Sequence, residues 1–231
     1  MNMPKTIYLF IFLLPFHFVN AQDINLLVKN AKDKLNQVND YEAHGRMRTN
    51  VAFLKVPVAS VLVYFKKPNK LKVKSEKGIS FIPKGAVSIN MGSMLSGEEF
   101  TIIDGGSDKI GNIIVRVAKL LPINENSDVV LSTIYIDPVN KLIQKAKTTT
   151  RDNGSYELEM AYGNYAAFGL PDKIVFSFNT KDYKLPKGMT FDFDDGNKTK
   201  QKNLGQNRKG KAEIIFSSYK INKGIPEAIF K

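Results

Sequence analysis

Side chains that could do chemistry are few in this chain, and their spacing does not assemble an active site. His44 is the one histidine outside the first 21 residues, whereas nucleophilic catalysis needs a nucleophile, a base and a group that orients the base. The run Gly92-Ser93-Met94-Leu95-Ser96-Gly97 does not have the spacing of a nucleophile elbow. Glu98-Glu99 and Asp194-Asp195 are adjacent carboxylates, and adjacent side chains of a strand face opposite ways. The sequence therefore predicts a protein that is not an enzyme.

Metal and cofactor sites are equally poorly supported. The chain contains no cysteine, which excludes disulfides, thiolate metal sites and cysteine nucleophiles. Asp192 to Asn197 is similar to the start of a calcium loop, but the spacing differs by one residue and the closing glutamate is missing. We therefore expect no metal and no cofactor.

The N-terminal residues have the pattern of a signal peptide. Lys5 precedes an apolar stretch from Ile7 to Phe16, and a polar segment then ends at Ala21. The stretch is shorter than the roughly 20 apolar residues that span a membrane, although an uncleaved anchor is the alternative interpretation. The sequence thus predicts a signal peptide at 1–21 and one exported domain at 22–231.

The charge of the chain is strongly positive, with a formal net value of +12. Such an excess of cations attracts anionic surfaces within a Debye length, about 10 Å at 0.1 M salt. In an exported protein, this favours anionic lipid or cell-surface glycan over nucleic acid. The alternative is a lysine-rich surface that serves solubility alone.

One helix is predicted near the start of the exported domain. Apolar residues recur at helical spacing between Ile24 and Val38, while polar residues occupy the opposite side. Asp23 can cap the first turn, and Asn39-Asp40 can end the helix. This pattern predicts an amphipathic helix that covers an apolar surface.

Strand-like runs divided by turn signals follow the helix. Val61 to Phe65 is continuously apolar, Lys66 to Asn69 predicts a tight turn around Pro68, and Lys70 to Ser75 alternates lysines with apolar or small residues. Tyr156 to Tyr162 and Ile174 to Phe178 also alternate. With one helix and many strands, we expect a mainly β protein whose curved antiparallel sheet has a helix on its concave face.

Three segments are less regular. Val87 to Leu95 fits a strand, a lid helix or a loop, and Ile113 to Leu121 fits a strand or a helix. Asp194 to Lys211 is polar and predicts a long exposed hairpin loop. Beyond it, Ala212 to Tyr219 predicts a strand, and the final Ile225 to Phe230 a tail that packs on the body.

The order of these parts resembles that of the LolA/LolB carriers of bacterial lipoproteins. The resemblance lies in the helix from Ile24 to Val38, the strand start Tyr41 to Ala43, and the turn from Lys66 to Asn69. Ile102 to Gly105 and Ile136 to Pro138 are similar to later motifs of the family. The resemblance implies an open half-barrel that is covered by a helical lid, in a protein that is a periplasmic monomer. Without cysteine the chain is similar to the unanchored LolA members rather than to lipid-anchored LolB.

The resemblance also implies a function and a set of binding residues. It implies a carrier that holds acyl chains of lipoproteins or other lipids, takes them from inner-membrane release proteins and delivers them to outer-membrane acceptors. Lys67 matches the family's lid-holding arginine, although a lysine lacks the planar fork and the family's tryptophans are absent. Alternatives are an envelope sensor or interaction module of the same fold, and a structural envelope protein. The acyl-cavity candidates are Val61, Val63, Phe65, Leu71, Val73, Met91, Met94, Leu95 and Ile102.

Overall fold

A computed structural model describes residues 23–51, 54–55, 58–68, 70–77, 99–151, 154–179 and 209–230. Within these ranges the chain forms one α-helix, eleven strands and two short 3-10 helices, at Ala166–Phe168 and Glu227–Phe230. The helix and strands are α1 Ile24–Asn36, β1 Asp40–Val51, β2 Leu54–Lys55, β3 Ala59–Lys66, β4 Lys70–Lys77, β5 Phe100–Ile110, β6 Ile113–Pro122, β7 Val129–Asp137, β8 Leu142–Thr150, β9 Gly154–Ala161, β10 Lys173–Asn179 and β11 Lys209–Ile221.

The strands form one antiparallel sheet in the order β4-β3-β1-β11-β10-β9-β8-β7-β6-β5, with the short β2 beside β1. Consecutive strands are neighbours throughout β5 to β11, and β11 then pairs with β1 over a long register from Tyr41–Ile221 to Asn50–Lys211. The strands β4 and β5 stand at opposite ends of this order. Among the described strands the sheet therefore does not close, and the predicted open half-barrel is confirmed.

α1 begins where the sequence predicts it. The Asp23 side chain caps the first turn by accepting a hydrogen bond from the backbone N–H of Asn25, 2.9 Å away. Ile24, Leu27, Val28 and Ala31 form its buried face. That face packs against β5, β6 and β7. No helix among the described residues is long and apolar enough to cross a membrane.

Three boundaries differ from the sequence prediction. α1 ends at Asn36 rather than Val38, because Gln37 is its C-cap and Val38 instead lies buried among apolar side chains beyond the helix. The ambiguous stretch from Ile113 is a strand, β6. β11 begins at Lys209, so the last residues of the predicted polar loop are paired with β10. Residues 180–208, like 1–22 and 78–98, lie outside the described ranges, and the signal peptide and calcium-like loop are not tested.

Candidate apolar binding face

The concave side of the sheet carries two groups of apolar side chains. The first, called the α1 cluster, joins the buried face of α1 to inward-facing residues of the sheet, including Leu120, Ile134, Leu158 and Phe176. The second, called the β3 cluster, is built on β1, β3 and β11. Its members are Ala43, Met47, Ala59, Val61, Val63 and Phe216, with Phe65 in an adjoining group around Val38 and Leu170. Among the described residues, α1 itself contributes no member to the β3 cluster.

The structure places most predicted cavity residues together in and around the β3 cluster. Val61, Val63 and Phe65 share one face of β3, because side chains of equal parity point the same way in a strand. In the register of β3 and β4, Val73 lies opposite Val63 and Leu71 lies opposite Phe65. All five candidates therefore form one apolar patch at the β4 end of the sheet.

Ile102 lies on the concave face as predicted, but at the other end of the sheet. It belongs to β5 and packs against the α1 cluster. In strand order β5 and β4 are the two extremes. The structure thus separates Ile102 from the β3 and β4 candidates. Met91, Met94 and Leu95 lie outside the described residues.

Burial divides the β3 and β4 candidates into two kinds. Val61 is fully buried, and Val63 and Phe65 are only 4% and 5% exposed. Leu71 and Val73 on β4 are half-buried. The β3 side chains therefore serve as packed core, whereas those of β4 keep apolar surface that another apolar group can cover.

An aromatic group flanks this patch, and the sequence reasoning did not identify it. Tyr219 packs against Tyr41, Tyr165 and Phe216, with ring centroids 5.4, 4.8 and 5.0 Å apart. Its hydroxyl donates to the carbonyl of Pro171 at 2.7 Å. Burial raises the pKa of Tyr219 and of Tyr41 above the ordinary range of a phenol. Both rings are thus neutral apolar surface. Alternation along β11 does not reveal the group, because a bulge at Ser217 brings Phe216 and Tyr219, three residues apart, to the same side of the sheet.

Lys67 binds the end of the helix. Its ammonium group donates to the carbonyl of Asn36 at 2.5 Å, and it lies 3.4 Å from Oδ1 of Asn39. Its backbone N–H also donates to the carbonyl of Asn39, at 2.9 Å. The last carbonyls of a helix lack intrahelical partners and carry partial negative charge, so a cation at this position satisfies them.

A second contact at the same end of α1 comes from Asn222, which follows β11. Asn222 donates from Nδ2 to the carbonyl of Gln37 at 2.9 Å, and its Oδ1 accepts from the backbone N–H of Asn39 at 2.7 Å. Asn222 adopts a left-handed backbone, with φ 55°. The buried Asp40 completes this junction by accepting at Oδ1 from the N–H groups of Lys223 and Gly224, both at 3.0 Å. The C-terminal segment therefore locks the junction between α1 and β1.

The last turn of α1 also contacts two connecting segments away from the β4 end of the sheet. Lys34 donates from Nζ to the carbonyl of Asn140 in the turn between β7 and β8, at 2.8 Å. Leu35 lies beneath Gly169, where an added Cβ would come within 3.1 Å of its methyl group. Polar contacts from three parts of the chain thus meet at the last turn of α1, while its N-terminal half contributes apolar side chains to the α1 cluster.

Catalytic and metal-binding constellations are not found in the described part of the chain. His44 lies on the convex face of β1, where its Nε2 is 3.4 Å from Oε1 of Glu42. Within the described ranges, no group of three or more histidines or carboxylates could hold a metal ion. What the described residues do provide is an apolar concave surface with a helix packed across part of it.

Comparisons with known proteins agree with this fold. A domain provisionally described as an outer membrane lipoprotein-sorting protein, from Vibrio parahaemolyticus, aligns with a TM-score of 0.58 at 12% identity over 89% of this chain and 94% of that one. A DUF1329 family protein from Desulfovibrio piger aligns with a TM-score of 0.54 at 12% identity, over 90% and 97%. A LolA superfamily protein from Nitrosomonas europaea aligns with a TM-score of 0.51 at 10% identity, over 88% and 97%. No family model and no curated protein matches the sequence.

These alignments define the class of fold. The chain has a LolA-like fold, which confirms the resemblance predicted from its sequence motifs.

Proposed function

We propose that the protein binds the acyl chains of lipoproteins or other lipids on its concave face and carries them through the periplasm to the outer membrane. The observation that supports this most directly is the apolar patch at the β4 end of the sheet. Leu71 and Val73 retain accessible apolar surface there, next to the buried side chains of β3. Burying an acyl chain is worth about 0.8 kcal/mol for each methylene group.

The lid of this carrier would be α1, pivoting about its C-terminal end. Lys67, Asn222 and Asn140 all contact the last turn and cap of the helix. The first turns rest on apolar contacts, which are not directional. In this proposal the N-terminal half of α1 moves to admit an acyl chain, while Lys67 holds the pivot.

The fold comparison supports the class of cargo without identifying it. The neighbour from Vibrio parahaemolyticus is described in terms of outer membrane lipoprotein sorting. We extend that role to this chain and propose that its function is not enzymatic. Its proposed partners are release proteins at the inner membrane and acceptor proteins at the outer membrane.

Native mass spectrometry of the protein purified from its own envelope fraction tests the proposal. We expect a stoichiometric mass increase that solvent extraction releases as acyl-bearing lipid. If the protein carries no lipid and takes up neither added lipid nor lipopeptide, the carrier function is wrong.

The pivot is tested separately with Lys67→Met, which keeps much of the side-chain length and removes the charge. We expect faster amide exchange in the last turn of α1 and a changed rate of cargo release. Lys147→Met, on an exposed position of β8, is the matched single-charge control. Cargo release at the wild-type rate in Lys67→Met would remove Lys67 from the lid mechanism.

An envelope sensor or interaction module of the same fold is the second candidate. It is favoured by the near-complete burial of Val61, Val63 and Phe65, since a packed core leaves little space for a ligand at β3. This candidate predicts a lipid-free protein that co-purifies with a stable protein partner.

A further inference from the structure

Among the described residues, positive charge is concentrated on one part of the convex face. Residues of β1 alternate, so Arg46 and Arg48 point away from the concave side that holds Met47. The register places β4, β3, β1 and β11 side by side. We call the convex side of these four strands the basic face. Its cations are Lys66, Lys70, Lys72, Lys74, Arg46, Arg48, Lys211 and Lys220.

Three carboxylates near this face have lysine partners. Glu42 lies 2.7 Å from the ammonium group of Lys220, and Glu213 lies 2.8 Å from that of Lys173. Glu227 is held by both Lys66, at 2.9 Å, and Lys70. The cations of the basic face therefore outnumber the nearby carboxylates of the described residues.

The pKa of Glu213 reflects this excess of positive charge. The hydrogen bond from Lys173 lowers the pKa of Glu213, and the charges of Lys211 and Arg48 lower it further. Several cations thus act on one carboxylate, and a second anion approaching this part of the face would meet the same positive field.

The rest of the convex face is closer to neutral. On β8 and β9, Lys145 lies 2.9 Å from Glu157 and 3.9 Å from Glu159. Lys119 and Lys147 are exposed cations on this side. Within the described residues, the excess of positive charge is therefore larger on the basic face than on the rest of the convex side.

An exposed apolar side chain lies within the basic face. Ile215 is 49% exposed and lies directly opposite Arg46 in the pairing of β1 with β11. Cations that surround an exposed aliphatic group suit a membrane surface, where cations meet headgroup phosphates and the apolar group enters the interfacial layer. A soluble anion would use the cations alone.

We propose that the basic face, centred on Arg46, Arg48 and Ile215, docks the protein on the surface of a bilayer rich in anionic phospholipid. This goes beyond the carriage of acyl chains, because the basic face and the apolar patch occupy opposite sides of the sheet. It gives the protein a means of staying close to a membrane while the concave face remains available for exchange.

Co-sedimentation of the full protein with vesicles tests this docking. One set of vesicles is phosphatidylcholine alone, and the other contains phosphatidylglycerol as well. We expect binding only to the anionic set, and loss of that binding between about 0.1 M and about 1 M salt, where the Debye length falls from about 10 Å to about 3 Å.

Paired variants locate the docking surface. Each cation at an anionic membrane contributes roughly a fivefold factor to partitioning, so Arg46→Gln with Arg48→Gln should weaken binding about 25-fold. Lys119→Gln with Lys147→Gln removes equal charge from the other part of the convex face and should leave binding near that of the wild type. Arg46→Lys with Arg48→Lys keeps the charge and should retain binding.

Three results would overturn the docking proposal. They are equal loss in both Gln pairs, equal binding to neutral and anionic vesicles, and binding to a soluble polyanion such as heparin without binding to anionic vesicles. Uptake of a fluorescent fatty acid, measured without vesicles, should be the same in the Arg46 and Arg48 variants as in the wild type. Failure of that uptake in the wild type would count against the carrier function and leave the docking result to stand independently.

Discussion

The two ends of the sheet differ in how they bury the concave face. At the β5 to β10 end, α1 lies across the strands and joins the α1 cluster, in which Leu120 and Ile134 are fully buried. At the β4 end, the β3 cluster is bordered by the half-buried Leu71 and Val73. The same antiparallel sheet thus provides packed core at one end and accessible apolar surface at the other. From this comparison we expect stability to depend mainly on the helix-covered end and the proposed binding on the β4 end.

The largest expected effect is on stability at the helix-covered end. Leu120→Ala should lower the free energy of unfolding by about 3 kcal/mol, because it removes a fully buried side chain and leaves a cavity. Leu121→Ala, the neighbouring residue on the opposite face, is 37% exposed and should cost less than about 1 kcal/mol. Urea unfolding monitored by circular dichroism measures both. Equal losses of stability would mean that Leu120 under α1 is no better packed than Leu121 on the opposite face.

Asn222→Ala tests the junction that fixes one end of the helix. The variant loses hydrogen bonds to Gln37 and Asn39 and puts alanine in a left-handed conformation, so we expect a loss of about 2 kcal/mol. Asn222→Gly removes the same hydrogen bonds but tolerates the backbone, and the difference isolates the strain. Hydrogen exchange should increase in the last turn of α1 in both. An increase confined to the first turns would contradict a C-terminal pivot.

Leu71→Asn sharpens the comparison on the binding side. The substitution places an amide on the half-buried concave surface of β4, and we expect roughly tenfold weaker binding of a fluorescent fatty acid through loss of apolar contact. Leu62→Asn makes the same change on the convex side of β3, where the side chain is also half-buried. In fluorescence titrations, Leu71→Asn should bind the fatty acid more weakly than Leu62→Asn does. Equal affinities would place the ligand away from β4.

The smallest expected effect is a pH dependence at the β4 end. Hydrogen bonds from Lys70 and Lys66 lower the pKa of Glu227 from 4.5 to about 2. Because the folded pKa lies below the unfolded one, the contact stabilises the protein fully above about pH 4.5 and is lost as pH falls towards about 2. A carboxyl titration by NMR should show this value. Glu227→Gln should abolish this part of the acid dependence, and an ordinary glutamate pKa in the wild type would refute the contact.

Much of the fold could be predicted from the sequence because the relevant signals are local. The helical spacing after Asp23 predicts α1, and the turn at Lys67-Pro68 separates β3 from β4 as expected. Alternation also places Val61, Val63 and Phe65 on one face. The ambiguity at Ile113 remained because a short apolar run suits either a helix or a buried strand.

The candidate site was only partly predictable because its parts meet across long separations in the chain. Ile102 has the correct parity, but only the strand order shows that it lies at the opposite end of the sheet from Leu71. The aromatic group around Tyr219 and the contacts of Asn222 join the last strand and tail to the first helix and strand. No local pattern encodes such pairings.

The sequence by itself determined which segments form α1 and the strands, which side chains share a face, and that the chain carries excess positive charge. Only the tertiary structure decided that β11 pairs with β1, that α1 covers one end of the concave face, and that Arg46 and Arg48 belong to a basic face on the other side. The physical reason is that propensity and alternation act between near neighbours. Strand order and the packing of the helix instead depend on how distant apolar surfaces are buried together.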